Sequence, residues 1–214
     1  MIEAHEVVVH MESYIANPYW PEVDALIELQ KKSGMNFQRT DEKRAATLLA
    51  YLQQCGMTMD DYRALEAKSQ RPWYRLDDED QTSEIVMPRH QLSGALVQTC
   101  NVSPSSVIKT SWAENLRTIL RLEPWRTGKV QADKVFARYV KGESNQRRYQ
   151  ESPEIDDFDA HGEIRFDPDV IKPPKVEALL KYALCNVGIG ACRKMAYGRG
   201  EFVSLTPVQG SASA

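Results

Sequence analysis

Hydrophobic and polar positions predict one strand and three helices in the first third of the chain. β-Branched residues cluster within residues 6–15, a pattern that is typical of a buried or half-buried strand. Apolar residues then recur at helical spacing in three stretches, at residues 22–32, 40–55 and 58–67. Polar segments flank the second and third of these helices. We therefore interpret those two helices as an insertion over about residues 38–70.

The rest of the chain alternates between strand and helix patterns. A short apolar strand ends at Pro88 and precedes a helix that contains Gly94. A glycine inside a helix costs about 1 kcal/mol relative to alanine, so it predicts close approach by a neighbouring element. The remaining predicted elements are helices at 111–122 and 175–185, strands at 135–140, 163–166 and 201–205, and a charged loop at 141–159.

The order of these elements follows the β-α-β-β-α-β logic of a ferredoxin-like domain. We therefore predict an α+β fold in which helices cover one face of an antiparallel sheet, as in RNA-recognition domains. The predicted arrangement is a single domain over residues 1–208 that carries the helical insertion. The small and polar tail at 209–214 is predicted to be disordered.

Composition limits the classes of function. The chain has 214 residues, a formal net charge of −3 and an isoelectric point near 5.9, which argues against wrapping nucleic acid with the whole surface. Any nucleic-acid contact must then be a local basic patch. Four cysteines occur without a CxxC pair, so neither a zinc site nor a disulfide framework is expected: Cys55, Cys100, Cys185 and Cys192. We expect no metal and no cofactor.

The N-terminus lacks both the basic region and the long apolar region of a secretion signal. No apolar run approaches the roughly 20 residues that span a bilayer. We therefore expect a cytoplasmic protein without a membrane partner.

The most informative motif is the glycine-rich segment, residues 188–200, in which four glycines alternate with three cations. Glycines and clustered backbone N–H groups next to basic side chains form a natural cradle for phosphate. Phosphate loops of nucleotide-hydrolysing proteins open a helix, whereas this segment follows a helix and leads into a strand, which favours RNA over nucleotide. The predicted RNA-binding residues are Gly188, Gly190, Arg193, Lys194, Tyr197, Gly198 and Arg199. Alternatively, Gly188 and Gly190 end a helix, and Tyr197 and Phe202 fill the core.

A second basic patch lies in the charged stretch after residue 140. Lys141, Arg147 and Arg148 adjoin Tyr149, a combination suited to an arm that orders on RNA. The alternative is that these charges are simply solvated.

Catalysis requires a general acid and a general base within reach of one bond. The chain has four histidines and no obvious histidine pair, because His5 and His10 fall on opposite sides of a strand. His90 is a weak candidate for a catalytic base. Acidic residues show no spacing typical of metal ligands, so we expect a protein that is not an enzyme.

Three features together resemble the RAMP superfamily, which includes subunits of CRISPR effector complexes. They are a helix entry at 21–27, a Pro-x-x-x-hydrophobic-x-Gly-Ala-Leu-like element at 88–96, and the glycine-rich segment leading into a strand. Residues 164–202 are also similar to uncharacterised phage-encoded RAMP-like proteins with a Gly-Ile-Gly-x-x-Arg…Tyr-Gly-Arg-Phe pattern. This chain departs from that pattern by placing Gly200 after Arg199.

The resemblance implies a noncatalytic subunit that binds crRNA in a multisubunit ribonucleoprotein. Its partners would be guide RNA or another single-stranded RNA, together with other protein subunits. Two alternatives stay open. One is a phage-encoded protein that acts by protein contact, as an anti-defence or assembly factor. The other is a metal-independent crRNA endoribonuclease, since crRNA-processing RAMP enzymes often use a histidine with a tyrosine or lysine.

Overall fold

The computed structural model describes residues 1–16, 18, 20–104, 108, 110–141 and 147–208. The predicted disordered tail at 209–214 lies outside these residues. The chain divides into two compact units: a sheet unit formed by Met1–Asn17 and Trp73–Ala214, and a helical unit formed by Pro18–Pro72.

The helical unit contains three helices, α1 (Pro21–Ser33), α2 (Asp41–Gln54) and α3 (Met59–Ser69). Its buried core is made by side chains of α2 and α3, with Leu26 and Leu29 of α1 packed against them. The predicted insertion at 38–70 did not include α1, which was expected to belong to the sheet domain. In the structure α1 groups with α2 and α3, because its apolar side chains complete their core.

Local capping explains where these helices begin and end. Thr58 and Asp61 form a reciprocal capping box at the start of α3. The Thr40 side chain accepts a longer, 3.4 Å bond from the Lys43 N–H at the start of α2. Gly34, with φ of 72°, ends α1 in the left-handed conformation.

Among its described residues, the sheet unit contains seven strands and three further α-helices. The strands are β1 (Glu3–Tyr14), β2 (Val86–Met87), β3 (Arg121–Leu122), β4 (Trp125–Arg126), β5 (Lys134–Lys141), β6 (Arg147–Phe166) and β7 (Gly200–Pro207). The helices are α4 (Arg89–Val102), α5 (Leu116–Ile119) and α6 (Pro173–Tyr182). All the described strand pairs are antiparallel, in the order β2-β4-β6-β1-β7, with β3 and β5 also paired to β6. The predicted α+β class is confirmed.

One face of the sheet carries the core. Alternate residues of β1 (Val7, Val9 and Met11) are fully buried and belong to one hydrophobic cluster with side chains of α4 and α6. Glu6 and Glu12, which lie on the opposite face of the strand, are exposed. Helices therefore cover one face and leave the other open, as the period-2 alternation of β1 requires.

The 20-residue strand β6 has two parts with different partners. Residues 155–166 pair with β1, from Tyr14↔Ile155 to Glu3↔Phe166. Residues 147–154 pair with β5, from Lys134↔Glu154 to Lys141↔Arg147, and form a hairpin that continues past the end of β1. The prediction of a charged loop at 141–159 was therefore wrong. Residues 147–154 pair with the neighbouring strand β5, and the stretch from Ile155 onward pairs with β1, which is distant in sequence. Composition alone indicates neither pairing.

Two other expectations were wrong. Residues 111–122 do not form one helix but a 3₁₀ turn (Thr110–Trp112), the short α5 and the strand β3. Gly94 does not mark a close approach, because a Cβ built there meets nothing within 4 Å outside its own helix backbone.

Candidate nucleic-acid interface

The glycine-rich segment begins where a helix ends. After α6, the chain makes a π-helical turn (Ala183–Val187), and the Gly188 N–H donates to the Ala183 carbonyl at 2.8 Å. Gly188 has a φ of 81°, which favours glycine. The Arg199 guanidinium donates to the Cys185 carbonyl. A cation thus caps carbonyl groups at a helix C-terminus, where they lack helical partners.

The segment is tied to itself and to the end of β1. The Ile189 N–H donates to the Gly198 carbonyl at 2.8 Å and closes the segment at its base. The Ala191 N–H donates to Ile15, and the Glu12 N–H donates to Arg199, at 2.7 and 3.0 Å. Between these anchors lies a 3₁₀ turn (Arg193–Met195), flanked by two non-glycine residues with positive φ.

The glycines make room for the chain's own backbone. A Cβ on Gly198 would lie 1.9 Å from the Ile189 carbonyl oxygen, and one on Gly190 would lie 2.6 Å from that of Ile15. Gly188 would similarly meet the Tyr197 carbonyl at 2.6 Å. These distances support the structural role that was predicted as the alternative for Gly188 and Gly190. They do not test the predicted RNA contact.

The three cations of the segment differ in accessibility. Lys194 is exposed, as is its neighbour Met195 at 54%. Arg193 is half-buried, and its Cγ lies near the backbone of Gly188. Arg199 is half-buried and engaged with the π-helical turn. The segment therefore offers Lys194 most openly to a ligand, with Arg193 beside it.

Tyr197 connects the segment to the base of the β5–β6 hairpin. Its ring centroid lies 4.6 Å from that of Phe136 on β5, at an interplanar angle of 47°. Desolvation, together with the nearby Glu154 carboxyl, raises the pKa of the Tyr197 phenol. Tyr197 is half-buried at this contact rather than deep in the core. Phe202 is also half-buried and packs against the core, with the Lys181 ammonium 5.0 Å from its ring centroid.

The second predicted basic patch lies at the far end of the hairpin. Lys141 pairs with Arg147, and Arg148 pairs with Val140. Lys141 lies five positions after Phe136, so the two positions are about 17 Å apart along the extended strand. The hairpin thus joins the two predicted basic patches, one at its base and the other at its far end.

His90 lies near the same end of the sheet, in the first turn of α4. Its ring packs edge-on to Tyr74 at 5.1 Å between centroids, and desolvation lowers its pKa. The adjacent Gln91 accepts from the Tyr14 hydroxyl at 2.7 Å and donates to the Ala16 carbonyl at 2.6 Å. The start of α4 and the glycine-rich segment therefore both contact the end of β1.

The open face of the sheet is rich in acidic groups that the sequence reading did not single out. His10 lies between two aspartates, with Nδ1 3.1 Å from Asp159 and Nε2 3.5 Å from Asp157. Glu6 on β1 pairs directly with Glu163 on β6. Only the long-range pairing of β1 with β6 assembles this group, so no local pattern could have found it.

The described part of the chain contains no cluster of histidine, cysteine, aspartate or glutamate side chains able to hold a metal ion. Within that same part, no helix combines the length and the apolar character needed to cross a bilayer.

A solved structure shares the architecture. A chain of the Type III-B Cmr-beta structure bound to cognate target RNA superposes with a TM-score of 0.53 at 10% identity, covering 97% of this chain and 61% of that chain. The two chains share a fold. This chain spans about three fifths of that larger chain. Cmr6 from Pyrococcus furiosus aligns at 11% identity with a TM-score of 0.35, covering 95% of this chain and 98% of that chain. No family model and no curated protein sequence matches this chain.

Proposed function

We propose that the protein is a noncatalytic RNA-binding subunit of a CRISPR-type multisubunit ribonucleoprotein. The observation that carries this proposal is the RAMP-like fold along nearly the whole chain, shared with a chain from an assembly bound to target RNA. The proposed ligand is guide RNA or another single-stranded RNA. The proposed contact is the glycine-rich segment.

The arrangement of the segment supports a phosphate contact. Lys194 and Arg193 lie in a turn that is anchored at both ends, so their backbone is already positioned before a ligand binds. Phosphate contacts by lysine and arginine position a protein on nucleic acid without reading its sequence. Tyr197 supplies an aromatic group beside these cations, on which a base or sugar can stack.

The far end of the hairpin extends the same proposed surface. Lys141, Arg147 and Arg148 would contact RNA roughly 17 Å along the strand from Phe136, the residue on which Tyr197 packs. This spacing suits one continuous single strand that contacts both patches.

The acidic open face favours a different partner. Glu6, Asp157 and Asp159 would repel RNA phosphates on that face, whereas Glu163 is paired with Arg165. We assign it to contacts with neighbouring protein subunits. The same acidic face, together with glycines that serve internal packing, favours the second candidate function, a factor that acts by protein contact alone.

The proposal includes no catalytic role. His90 packs edge-on against Tyr74, and desolvation lowers its pKa. An endoribonuclease would cut labelled repeat RNA in the presence of EDTA and would lose that activity in His90→Ala. We expect intact RNA in both cases.

The test of RNA binding is the double variant Arg193→Ala with Lys194→Ala. Single-stranded RNA affinity, measured by fluorescence anisotropy over a range of salt concentrations, should fall. The slope of log K against log salt should decrease by about 1.4, since each phosphate contact contributes about 0.7 for single strands.

A matched control removes two exposed cations of the helical unit, Lys43→Ala with Arg63→Ala. Its net charge equals that of the test variant, and its RNA affinity should stay close to that of the wild type. Equal affinity and equal salt slope for all three proteins would refute the segment as the contact. Absence of RNA binding by the wild type would leave protein contact as the function.

A further inference from the structure

Two carboxyl groups of β6 lie against one ammonium group at the base of the hairpin. Glu154 and Asp156 are two residues apart on β6, so their side chains project from the same side of the strand. Glu154 is 2% exposed. Both carboxyl groups are paired with the Lys134 ammonium. Two ionised carboxylates are both acceptors, so a hydrogen bond between them requires a proton on one of them.

The neighbouring charges do not balance. The Lys134 ammonium lies 2.6 Å from Asp156 Oδ2 and 3.4 Å from Glu154 Oε1. Asp133 accepts from the Lys129 ammonium at 3.0 Å and from the Asp156 N–H at 2.9 Å. Three carboxyl groups thus face two ammonium groups. The surplus negative charge lies close to the buried Glu154 side chain. Burying an unpaired charge costs free energy.

Asp156 supplies a second, independent observation. Its Oδ1 atom is buried and has no hydrogen-bond donor among the described residues. A protonated Glu154 carboxyl would donate to this oxygen and satisfy it. Burial of Glu154, followed by the influence of the adjacent Asp156 carboxyl, raises the pKa of the Glu154 carboxyl.

The pair lies close to a residue of the proposed RNA contact. Tyr197 of the glycine-rich segment packs on Phe136, which lies two residues after Lys134 and therefore on the same side of β5. Across the hairpin, Lys134 pairs with Glu154, and Phe136 pairs with Ser152. Repulsion between the two carboxyl groups would therefore act next to the residue on which Tyr197 packs.

We propose that Glu154 and Asp156 share one proton, and that this proton holds the base of the hairpin in the form that supports Tyr197 and the glycine-rich segment. Glu154 is then a positioning residue that acts through Tyr197. Losing the proton loosens the segment and weakens RNA binding. The RNA part of this inference rests on the proposed function, whereas the shared proton does not.

The direction of the pH dependence follows from linkage. A carboxyl group whose folded-state pKa is raised stabilises the fold below its unfolded pKa, and that contribution is lost as pH rises through the folded-state pKa. Glu154→Gln keeps a donor toward Asp156 and an acceptor toward Lys134, so it mimics the protonated carboxyl at every pH.

The experiment compares the wild type, Glu154→Gln and the control Glu151→Gln, an exposed acid on the same strand. Melting temperature is measured between about pH 4 and pH 8, a range that brackets the usual and raised values of a glutamate. Glu154→Gln should melt above the wild type at the alkaline end, and the gap should close at the acid end. Glu151→Gln should follow the wild type throughout.

Single-stranded RNA affinity is measured at the same pH values. Wild-type affinity should fall by about fivefold or more on alkalinisation relative to Glu154→Gln, the lower end of typical coupling between two sites. If the melting temperatures of the wild type and Glu154→Gln differ by the same amount at every pH, the proposal of a shared proton is refuted, whether or not RNA binds. A shifted melting curve with equal RNA affinities would overturn the link to Tyr197. If no variant binds RNA but the melting temperatures depend on pH as expected, the proposed function is refuted and the shared proton is supported.

Discussion

Single backbone atoms determine the path of the glycine-rich segment. At Gly198 a Cβ would lie 1.9 Å from one backbone oxygen and 2.7 Å from a backbone nitrogen, both of Ile189. Because both atoms belong to the main chain, no side-chain movement relieves the clash. Gly198 also has a φ of 72°, which is unfavourable for residues with a side chain. Its role is therefore structural whether or not RNA touches it.

Two glycine-to-alanine variants should shift stability in opposite directions. Gly198→Ala should destabilise the sheet unit by at least about 1–3 kcal/mol, the cost of a strained backbone conformation, with the clash in addition. Gly94→Ala, in the open middle of α4, should stabilise by about 0.5–1 kcal/mol. Urea denaturation measures both free energies of unfolding. A stable Gly198→Ala protein would mean that the segment folds along another path.

Helix caps differ in strength between two neighbouring helices. The α3 capping box satisfies two backbone donors, since Thr58 accepts from Asp61 N–H and Asp61 accepts from Thr58 N–H. At α2, Thr40 offers only its single long bond. The start of α3 should therefore depend more on its threonine.

Thr58→Ala should lower the stability of the helical unit by about 1 kcal/mol, a typical loss for a threonine cap. Thr40→Ala should cost clearly less, because a 3.4 Å bond is long for this geometry. Circular dichroism at 222 nm during urea titration follows the helices. Equal losses for the two variants would contradict this ranking of the caps.

The two units have separate cores. The buried cluster of the helical unit consists of Leu48, Leu52 and Tyr62, and the larger cluster contains only residues of the sheet unit. The two connections to the sheet unit come close together, since the rings of Tyr14 and Trp73 stack at 6.2 Å between centroids. The sheet unit can thus be closed by a short connection.

Replacing residues 18–72 with a short Gly-Ser linker should leave the sheet unit folded. Its antiparallel pairing and core remain complete without the helical unit. A cooperative melting transition and dispersed amide NMR signals would be the expected result, with RNA affinity within a few-fold of the full chain if the glycine-rich segment is the contact. An unfolded product would show that the helical unit supports the sheet.

Sequence patterns predicted those helices and strands whose formation depends on residues close together in the chain. The run of Val7, Val8 and Val9 predicted β1, and the apolar stripe of Val176, Leu179 and Leu180 predicted α6. Most of β6 escaped prediction because its composition is polar and because part of it pairs with the distant strand β1, as with His10 opposite Asp159. The Glu154–Asp156 pair escaped for another reason: a glutamate in a polar stretch carries no local sign that it will be buried.

The long strand β6 allows the length of the β5–β6 hairpin to change without altering the rest of the sheet. One end of it is committed to the sheet through β1, whereas the other end pairs only with its own hairpin partner β5. Matched pairs of residues can therefore be added or removed beyond Phe136 without changing any register inside the sheet. Natural variants of this chain should tolerate insertions at that position, and engineers can graft longer or shorter arms there onto an unaltered core.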